Sequence, residues 1–455
     1  MLATILGSLV CLSPAQQQAP AAPPPAAPST LDPRVSPAKI TESDPPPPPV
    51  QIVQPLPAVH RISAAHEPDD LISPAADAKA RQAIAKGLAY LRTRQDGTGA
   101  WLAGTKAAPT DQPQKAEPVA VAVTALALKA LAQAQANDPT QTQTQPTTHT
   151  QDPAIASAVA FLRAVRREDG TFGGENTSTY VNSCVASALA AVGDREARLL
   201  LAPVVDSLKQ GVWDDGEGLN ARQDWYGGAG YGRHGRPDLS NTQLMLDALH
   251  DAGVSPDEPA VQRALAFVSR TQNLPSTNPT TWSKQGSGDG GFVYTPANGG
   301  ESFASEAAGE GRFGEKLPEG TPRSLRSYGS MTYAGFKSLL YAGLDRNDPR
   351  VRAAYDWIRR NLTFDSNPGL GMDGLYYYYH AMARALLAAQ QPSISALRPD
   401  GTEGEGVNWR EALIDALASR QREDGSWVNE STRWLEGEPD LVTIYAVLAL
   451  QETLK

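Results

Sequence analysis

Two kinds of segment alternate along the chain, and they differ in how hydrophobic and polar residues are spaced. In the first kind, such as ADAKARQAIAKGLAYLRTRQ (76–95), Ala, Leu and Tyr recur along one side of a helix and charged residues cover the other. This period predicts an amphipathic helix with one buried face. In the second kind, such as EPVAVAVTALALKALAQA (117–134), apolar residues lie nearly all round. We expect such a helix to be buried on both sides.

A short phrase separates the two kinds of segment and recurs along the chain. It reads YLRTRQDGTGAW at Tyr90–Trp101 and LASRQREDGSW at Leu417–Trp427, with Gln, Gly and Trp at matching positions. Less regular copies occupy Phe161–Phe172, Val205–Trp213, Phe267–Phe292 and Trp357–Gly374. An internal repeat indicates a stack of similar helix pairs. We expect the Gln to bond free backbone groups at helix ends and the aromatic residue to pack over the next pair.

Six buried segments accompany the six copies, which gives six pairs of one outer and one inner helix. Such pairs can close into a ring with the inner helices as a central barrel, so that no end caps are needed. The predicted fold is all-α, a single-domain (α/α)6 toroid over residues 71–455, interrupted by insertions near 137–152, 216–237 and 273–326. We expect the first and last insertions to be exposed loops and the middle one to cover the mouth of the ring.

The first 70 residues do not follow this pattern. Leu2–Leu12 is a short apolar run followed by small residues near Ala15, which is typical of an export signal over residues 1–15, although the start lacks Lys and Arg. Residues 16–70 are rich in Pro, which favours an extended tether. We therefore expect a secreted or periplasmic protein, with attachment to the cell envelope left open. Once the signal is cleaved, Cys184 is the remaining cysteine, so no intrachain disulfide is expected.

The net charge of the chain and the length of its N-terminal apolar run limit which partners can be expected. The chain has a net charge of −10, and 41% of its residues are hydrophobic. A nucleic-acid footprint needs clustered Lys and Arg, so the sequence predicts no nucleic-acid partner. The apolar run at the N-terminus is too short to span a bilayer, so membrane contact would not use a transmembrane helix.

The repeated phrase carries a resemblance to a known family. Gln…Gly-x-Trp ahead of buried helices, over about residues 75–455, resembles the QW repeat of squalene–hopene and oxidosqualene cyclases, whose (α/α)6 toroid is shared by protein prenyltransferase β-subunits. The stretches LRSYGSMTYAGFKSLLYAGL and GLYYYYHAMARAL resemble exported bacterial squalene-cyclase-like toroid proteins. The resemblance implies a central cavity that accepts an isoprenoid or another apolar chain. A repeat indicates a fold more strongly than a reaction.

The acid that starts cyclisation is not carried over intact. The resemblance implies an Asp-x-Asp-Asp-Thr run opening an inner helix, and the nearest match is DLSNT, Asp238–Thr242. Here Ser240 and Asn241 replace the later acidic residues, and a hydroxyl cannot protonate an alkene at a useful rate. Asp238 stays a candidate acid and Asn241 a candidate ligand contact, although a helix N-cap explains this stretch at least as well.

Metal chemistry has little support in the sequence. A zinc prenyltransferase would need Asp-x-Cys and a later His, but Asn182 stands two residues before Cys184 and the histidines show no ligand spacing. The Gly-Cys-Gly-Glu-Gln run of thioester toroid proteins is also absent. We therefore expect neither a metal nor another cofactor.

The remaining candidate residues are mostly aromatic. In the run YYYYH, Tyr376, Tyr379 and His380 share one helix face, which would offer the cavity two rings and a titratable group. Core filling explains them equally well. Asp373, just before this run, is a second candidate acid if burial raises its pKa, although it could simply favour the positive end of the helix. Further candidate contacts are Tyr328, Tyr333, Tyr445 and, in the middle insertion, Trp225, Tyr226, Tyr231 and His234.

Three functions remain open on this basis. The first is a terpenoid-cyclase-like protein that holds an apolar small molecule or lipid in the ring, with acid-initiated isomerisation or cyclisation by Asp373, Asp238 or His380. The second is a non-catalytic lipid-binding or scaffold toroid, which the missing acid run favours. The third is an enzyme acting on polysaccharides, for which Asp214, Asp215 and Glu217 beside Trp213 give a local hint.

Overall fold

The computed structural model describes residues 71–101, 117–136, 152–304 and 325–455. The predicted signal (1–15), the predicted tether (16–70) and nearly all of the 137–152 insertion lie outside these residues. Within them are thirteen α-helices and one pair of β-strands. The prediction of an all-α fold is therefore confirmed, with a small hairpin as an addition.

Twelve of these helices form six pairs of an outer and an inner helix. The outer helices are α1 (Pro74–Arg94), α3 (Pro153–Val165), α5 (Arg195–Gln210), α7 (Pro259–Arg270), α10 (Pro349–Arg360) and α12 (Trp409–Arg420). The inner helices are α2 (Pro118–Ala136), α4 (Ser178–Val192), α6 (Leu239–Asp251), α9 (Gly329–Tyr341), α11 (Leu375–Ala388) and α13 (Pro439–Thr453). The remaining elements are α8 (Thr281–Gln285), β1 (Ile394–Leu397) and β2 (Glu403–Val407).

The inner helices close into a ring. Each packs against the next in the order α2, α4, α6, α9, α11, α13, and α13 packs back against α2. The outer helices also meet across the closure, where α12 contacts α1. This arrangement is the predicted (α/α)6 toroid.

The inner helices are apolar nearly all round because they are covered on both sides. In α2, the fourteen residues Val119–Ala132 are all buried. By length and composition this helix could cross a membrane, but 78% of its apolar window is buried inside the protein. Its hydrophobicity is thus accounted for by its place in the barrel.

The repeated phrase joins neighbouring helix pairs through its Gln. Gln95 Nε2 donates to the carbonyl oxygen of Gly99 in its own turn at 3.0 Å and to that of Ala154 at the start of α3 at 2.9 Å. Gln272 makes the equivalent two bonds. The Gln therefore satisfies carbonyl groups of two successive pairs, as the repeat predicts.

The last copy of the phrase closes the ring. Gln421 Nε2 donates to Gly425 O at 3.0 Å and to Ala83 O in α1 at 2.9 Å, although Ala83 is 338 positions away in sequence. The indole Nε1 of Trp427 donates to Leu417 O at 2.8 Å, and the Trp427 ring is fully buried. The same kind of bond that joins the other pairs therefore joins the sixth pair to the first.

Two loop regions differ from expectation. Strands β1 and β2 form an antiparallel hairpin between α11 and α12, with Ile394 opposite Val407. In the 273–326 insertion, the described residues are largely packed rather than exposed, since Trp282, Val293 and Leu325 form a small buried apolar cluster. The expectation of an exposed loop is wrong for this part, because its few large apolar residues pack together and are buried.

Candidate functional site

A cavity lies at the N-terminal ends of the inner helices. It holds about 1000 Å³ of empty space, counting its open mouth. All six inner helices reach it with residues from their first two turns: Val119, Val123, Tyr180, Ser240, Leu244, Ser330, Met331, Tyr377, Leu441 and Tyr445. Ring closure thus creates a shared space that no single helix pair could form.

Loops between the helices complete the wall. They contribute Tyr231, Tyr294, Phe303, Tyr328, Gly374, Trp434, Leu435 and Glu436. Of the 18 lining residues eight are aromatic, and six more carry aliphatic or thioether side chains. Such a wall suits an apolar ligand held by a few polar groups.

Glu436 is the one acidic residue among the described residues that line the cavity. Glu436 is 1% exposed, and its carboxylate caps the start of α11. Oε1 accepts the backbone N–H of Tyr377 at 2.8 Å, while Oε2 accepts that of Tyr376 at 3.2 Å and the Asn429 side-chain amide at 2.6 Å. Burial raises the pKa of Glu436 to about 7, against the opposite effect of these three hydrogen bonds.

The backbone that presents Glu436 is strained. Trp434 and Leu435 have φ of 55° and 65°, in the left-handed region that bulky side chains rarely adopt. Arg433 lies over the Trp434 ring at 4.4 Å and over the Phe303 ring at 5.3 Å. Cation–π contacts of Arg433 therefore help to hold this unfavourable turn, which directs Trp434 and Glu436 toward the cavity.

Asp373 is not buried, as an acid with a raised pKa would have to be. It stands at the entrance of α11 as expected, but its side chain is 31% exposed and pairs with Arg433 at 2.9 Å. Ser431 Oγ also donates to it at 2.7 Å. Asp373 is outside the cavity lining, and these contacts make it an anchor for the loop that carries Arg433.

Asp238 is a buried carboxyl beside the cavity. It is the N-cap of α6, accepting the backbone N–H of Asn241 on Oδ1 and the Asn241 side-chain amide on Oδ2, each at 2.8 Å. Burial raises the pKa of Asp238 to about 6. The N-cap interpretation of DLSNT is confirmed, and Asn241 holds Asp238 rather than lining the cavity.

In the tyrosine run, Tyr377 is the member that lines the cavity. Tyr376 and Tyr379 pack edge to face at 5.7 Å between ring centres, and Tyr379 donates its hydroxyl to the carbonyl of Phe364. These two rings therefore serve the core. Of the two interpretations that the sequence left open for this face, the contacts of Tyr376 and Tyr379 are those of core filling.

His380 and Tyr333 are also core residues. His380 stacks on Tyr445 with ring centres 5.8 Å apart, and Tyr333 contacts Tyr378 at 5.5 Å. Burial, with Arg384, Lys129 and Lys337 nearby, lowers the pKa of His380 well below its usual range. A histidine held neutral in this way is a poor acid.

The middle insertion divides between the cavity and the outside. Tyr231 lines the cavity, as do Tyr328 and Tyr445 among the other predicted contacts. Trp225 instead packs edge-on against Trp213 at 5.0 Å, and His234 contacts Trp213 from another side at 5.8 Å. Tyr226 likewise stands outside the lining, so one aromatic residue of the predicted four in this insertion's set, Tyr231, reaches the cavity.

The acidic cluster beside Trp213 has a local structural role. Asp214 Oδ1 accepts the N–H of Gly216 at 2.8 Å, and Glu217 Oε2 accepts the N–H of Asp214 at 2.9 Å. Together they form a capping box around the short turn Asp215–Glu217. These contacts do not favour the polysaccharide hypothesis.

Metal ligands are not assembled within the described residues, where no three His, Cys, Asp or Glu side chains come together. Cys184 is buried in α4, and burial raises the pKa of its thiol to about 12. A thiol that resists deprotonation is a poor zinc ligand.

Comparisons with known proteins find similarity at the level of fold. No family model and no curated protein matches the chain. Among solved structures, a variant of the type II terpene cyclase MstE from Scytonema in complex with merosterolic acid A, its product, has 14% identity and a TM-score of 0.44 over 84% of this chain and 99% of the cyclase. Another MstE variant, in complex with geranylgeranyl dihydroxybenzoate, its substrate, has 13% identity and a TM-score of 0.45 over 84% and 98%.

A family 76 glycoside hydrolase from a bovine Bacteroides thetaiotaomicron strain has 10% identity and a TM-score of 0.47 over 82% of this chain and 77% of its own. These are likenesses of overall fold. The closed order of the inner helices defines the toroid of this chain.

Sequence reasoning missed Glu436 and Tyr377. Glu436 stands in a loop between a repeat phrase and the last inner helix, with nothing in its neighbours to mark it. Its contacts with α11 come from residues 59 and 60 positions earlier. The one sequence signal that could have marked Glu436 is its position shortly before an inner helix. Asp373 and Asp238 have the same kind of position, so this signal could not single out Glu436.

Proposed function

We propose that the protein binds an apolar molecule of isoprenoid character in the cavity of the ring. The observation that carries this proposal is the wall, in which fourteen of 18 residues are aromatic, aliphatic or thioether side chains. A cavity of this kind gains free energy mainly by removing apolar surface from water. Aromatic rings add favourable contacts with flat or unsaturated carbon skeletons.

A second candidate function is acid-initiated isomerisation or cyclisation of the bound molecule. Glu436 supports it, because a carboxyl with a pKa of about 7 is partly protonated at neutral pH and lines the cavity. Of the acids considered from sequence, Asp238 remains a proposal as a buried neighbour of the cavity. Asp373 is paired with Arg433, and His380 is held neutral, so neither placement favours an acid role.

The alternative is a carrier that binds without turnover. A carrier would use the same cavity as the enzyme would, but it would leave the carbon skeleton of the bound molecule unchanged. The absence of the Asp-x-Asp-Asp-Thr run favours this alternative.

Mass spectrometry of organic extracts tests these functions. The protein is purified from its native host as wild type and as two variants. Val123→Phe places a larger side chain in the wall and so takes up space in the cavity. Leu199→Phe introduces the same ring at a surface site that is 67% exposed. We expect a stoichiometric lipid from wild type and Leu199→Phe and a much smaller amount from Val123→Phe.

An empty wild-type extract, or equal lipid from all three proteins, would contradict cavity binding. If lipid is found, its structure separates the two functions. A product cyclised relative to the host's precursors, lost in Glu436→Gln, supports the enzyme. An unaltered lipid in both proteins supports the carrier.

A further inference from the structure

A chain of buried polar side chains runs from the interior of the ring to the cavity wall. Lys337 Nζ in α9 donates to Asp247 Oδ2 at 2.7 Å and to Gln243 Oε1 at 2.8 Å, both in α6. Gln243 Nε2 then donates to the hydroxyl oxygen of Tyr377 in α11 at 3.0 Å. Lys337, Gln243 and Asp247 are all buried, so water does not compete for these bonds.

The ammonium group fixes the orientation of the Gln243 amide. An ammonium group can donate hydrogen bonds but cannot accept them. The amide oxygen of Gln243 must therefore face Lys337, and its NH2 group must face away, toward Tyr377. The reverse orientation would set donor against donor in a buried place, which costs free energy.

This orientation decides what Tyr377 can do. Its oxygen already accepts a hydrogen bond from Gln243, so its own O–H must be directed elsewhere. Within the described residues, Ser240 Oγ lies 3.5 Å from this hydroxyl, a long contact, and both side chains line the cavity. Burial raises the pKa of Tyr377, so the hydroxyl keeps its proton. Tyr377 thus presents a hydrogen-bond donor to the cavity.

We infer that the ligand carries an uncharged acceptor oxygen, such as a ketone or ether, and that this oxygen binds the Tyr377 hydroxyl. The inference rests on the proposed function and names the polar end of its ligand. An anionic oxygen is disfavoured, because Asp247 already pairs with Lys337 and Glu436 lines the same cavity. A pure hydrocarbon would leave the hydroxyl of Tyr377 without a short partner in a largely apolar space.

A matched pair of probes tests this inference. Heptadecane and 2-heptadecanone have the same carbon chain and differ by one acceptor oxygen. Their dissociation constants are measured by displacement of a fluorescent apolar dye from wild type, Tyr377→Phe and Tyr445→Phe. Tyr445→Phe is the control, because it removes a hydroxyl from the same wall but not from the polar chain.

We expect Tyr377→Phe to weaken ketone binding by about tenfold and alkane binding by less than about twofold, the size of one good hydrogen bond. Tyr445→Phe should change the two affinities about equally. Equal losses of ketone and alkane in Tyr377→Phe, or no loss of either, would overturn the inference and leave the proposed function standing. If wild type binds neither probe, both are overturned.

Discussion

The carboxyl of Glu436 makes the stability of the ring depend on pH in a defined direction. Its pKa is about 7 in the folded protein, above its ordinary value of 4.5. The folded state therefore binds this proton more tightly than the unfolded chain. The resulting stability is fully present below about pH 4.5 and is lost as the pH rises through 7, because the folded state must then bury a charge.

The magnitude follows from the two pKa values. Between pH 5 and pH 8 the contribution of Glu436 to the free energy of unfolding falls by about 2.5 kcal/mol, since each pKa unit corresponds to about 1.4 kcal/mol. Glu436→Gln has no proton to lose. We therefore expect wild type minus Glu436→Gln, in free energy of unfolding, to fall by about this amount from pH 5 to pH 8.

Urea unfolding followed by circular dichroism at both pH values measures this difference. Subtracting the variant removes the pH dependence of the other carboxyl groups. Asp238→Asn is a matched comparison, because burial raises the pKa of Asp238 to about 6 and its effect should have the same sign and smaller size. A difference between wild type and Glu436→Gln that stays constant within about 0.5 kcal/mol from pH 5 to pH 8 would refute the reasoning.

Three further changes test the ring and its interior. Gln421→Leu removes one hydrogen bond across the closure, to Ala83, and one within its own turn, to Gly425, and should lower the free energy of unfolding in urea by about 2 kcal/mol. Gln95→Leu should cost the same within about 0.5 kcal/mol, and a much smaller loss for Gln421→Leu would mean that closure adds little. Lys337→Met removes the ammonium partner of buried Asp247, with Arg384 Nε still 3.7 Å from the carboxylate, and should cost about 1.5–3 kcal/mol; the double variant with Asp247→Leu should recover most of this loss, and no recovery would refute the buried pair. Gly425→Ala would place a methyl group 2.6 Å from a carbonyl oxygen of α1 at φ 86°, so its melting temperature should fall by several degrees, and an unchanged melting temperature would contradict that contact.

The fold could be predicted because the repeat encodes contacts that recur. Gln95 and Gln421 occupy the same position in the phrase and make the same two bonds in the structure. The buried helices can be recognised in the sequence because they lack a polar face, as in α2. Each of these signals is local, so one sequence is enough to read it.

The cavity wall could not be predicted to the same degree, because it depends on the rotation of each inner helix about its axis. In α11, a rotation of one residue position separates Tyr377, which lines the cavity, from Tyr376, which does not. Four consecutive Tyr give no periodic signal that could fix this rotation. The loop that carries Glu436 reaches α11 through contacts about 60 positions apart, which no local pattern records.

The acid strength of Glu436 links the two proposals. Three hydrogen bonds favour its charged form and burial favours its neutral form, and the balance leaves a pKa of about 7. A carboxyl of this strength transfers a proton to an oxygen far more readily than to the carbon of an alkene, because protonated oxygen is the more stable cation. If the ligand carries an oxygen that binds the Tyr377 hydroxyl, a hydrogen-bond donor and a proton source line the same cavity. The Tyr377→Phe comparison therefore bears on chemistry as well as on binding: loss of ketone selectivity would show that the cavity holds an acceptor oxygen, the kind of atom that a carboxyl of this strength can protonate, while equal binding of ketone and alkane would favour the carrier.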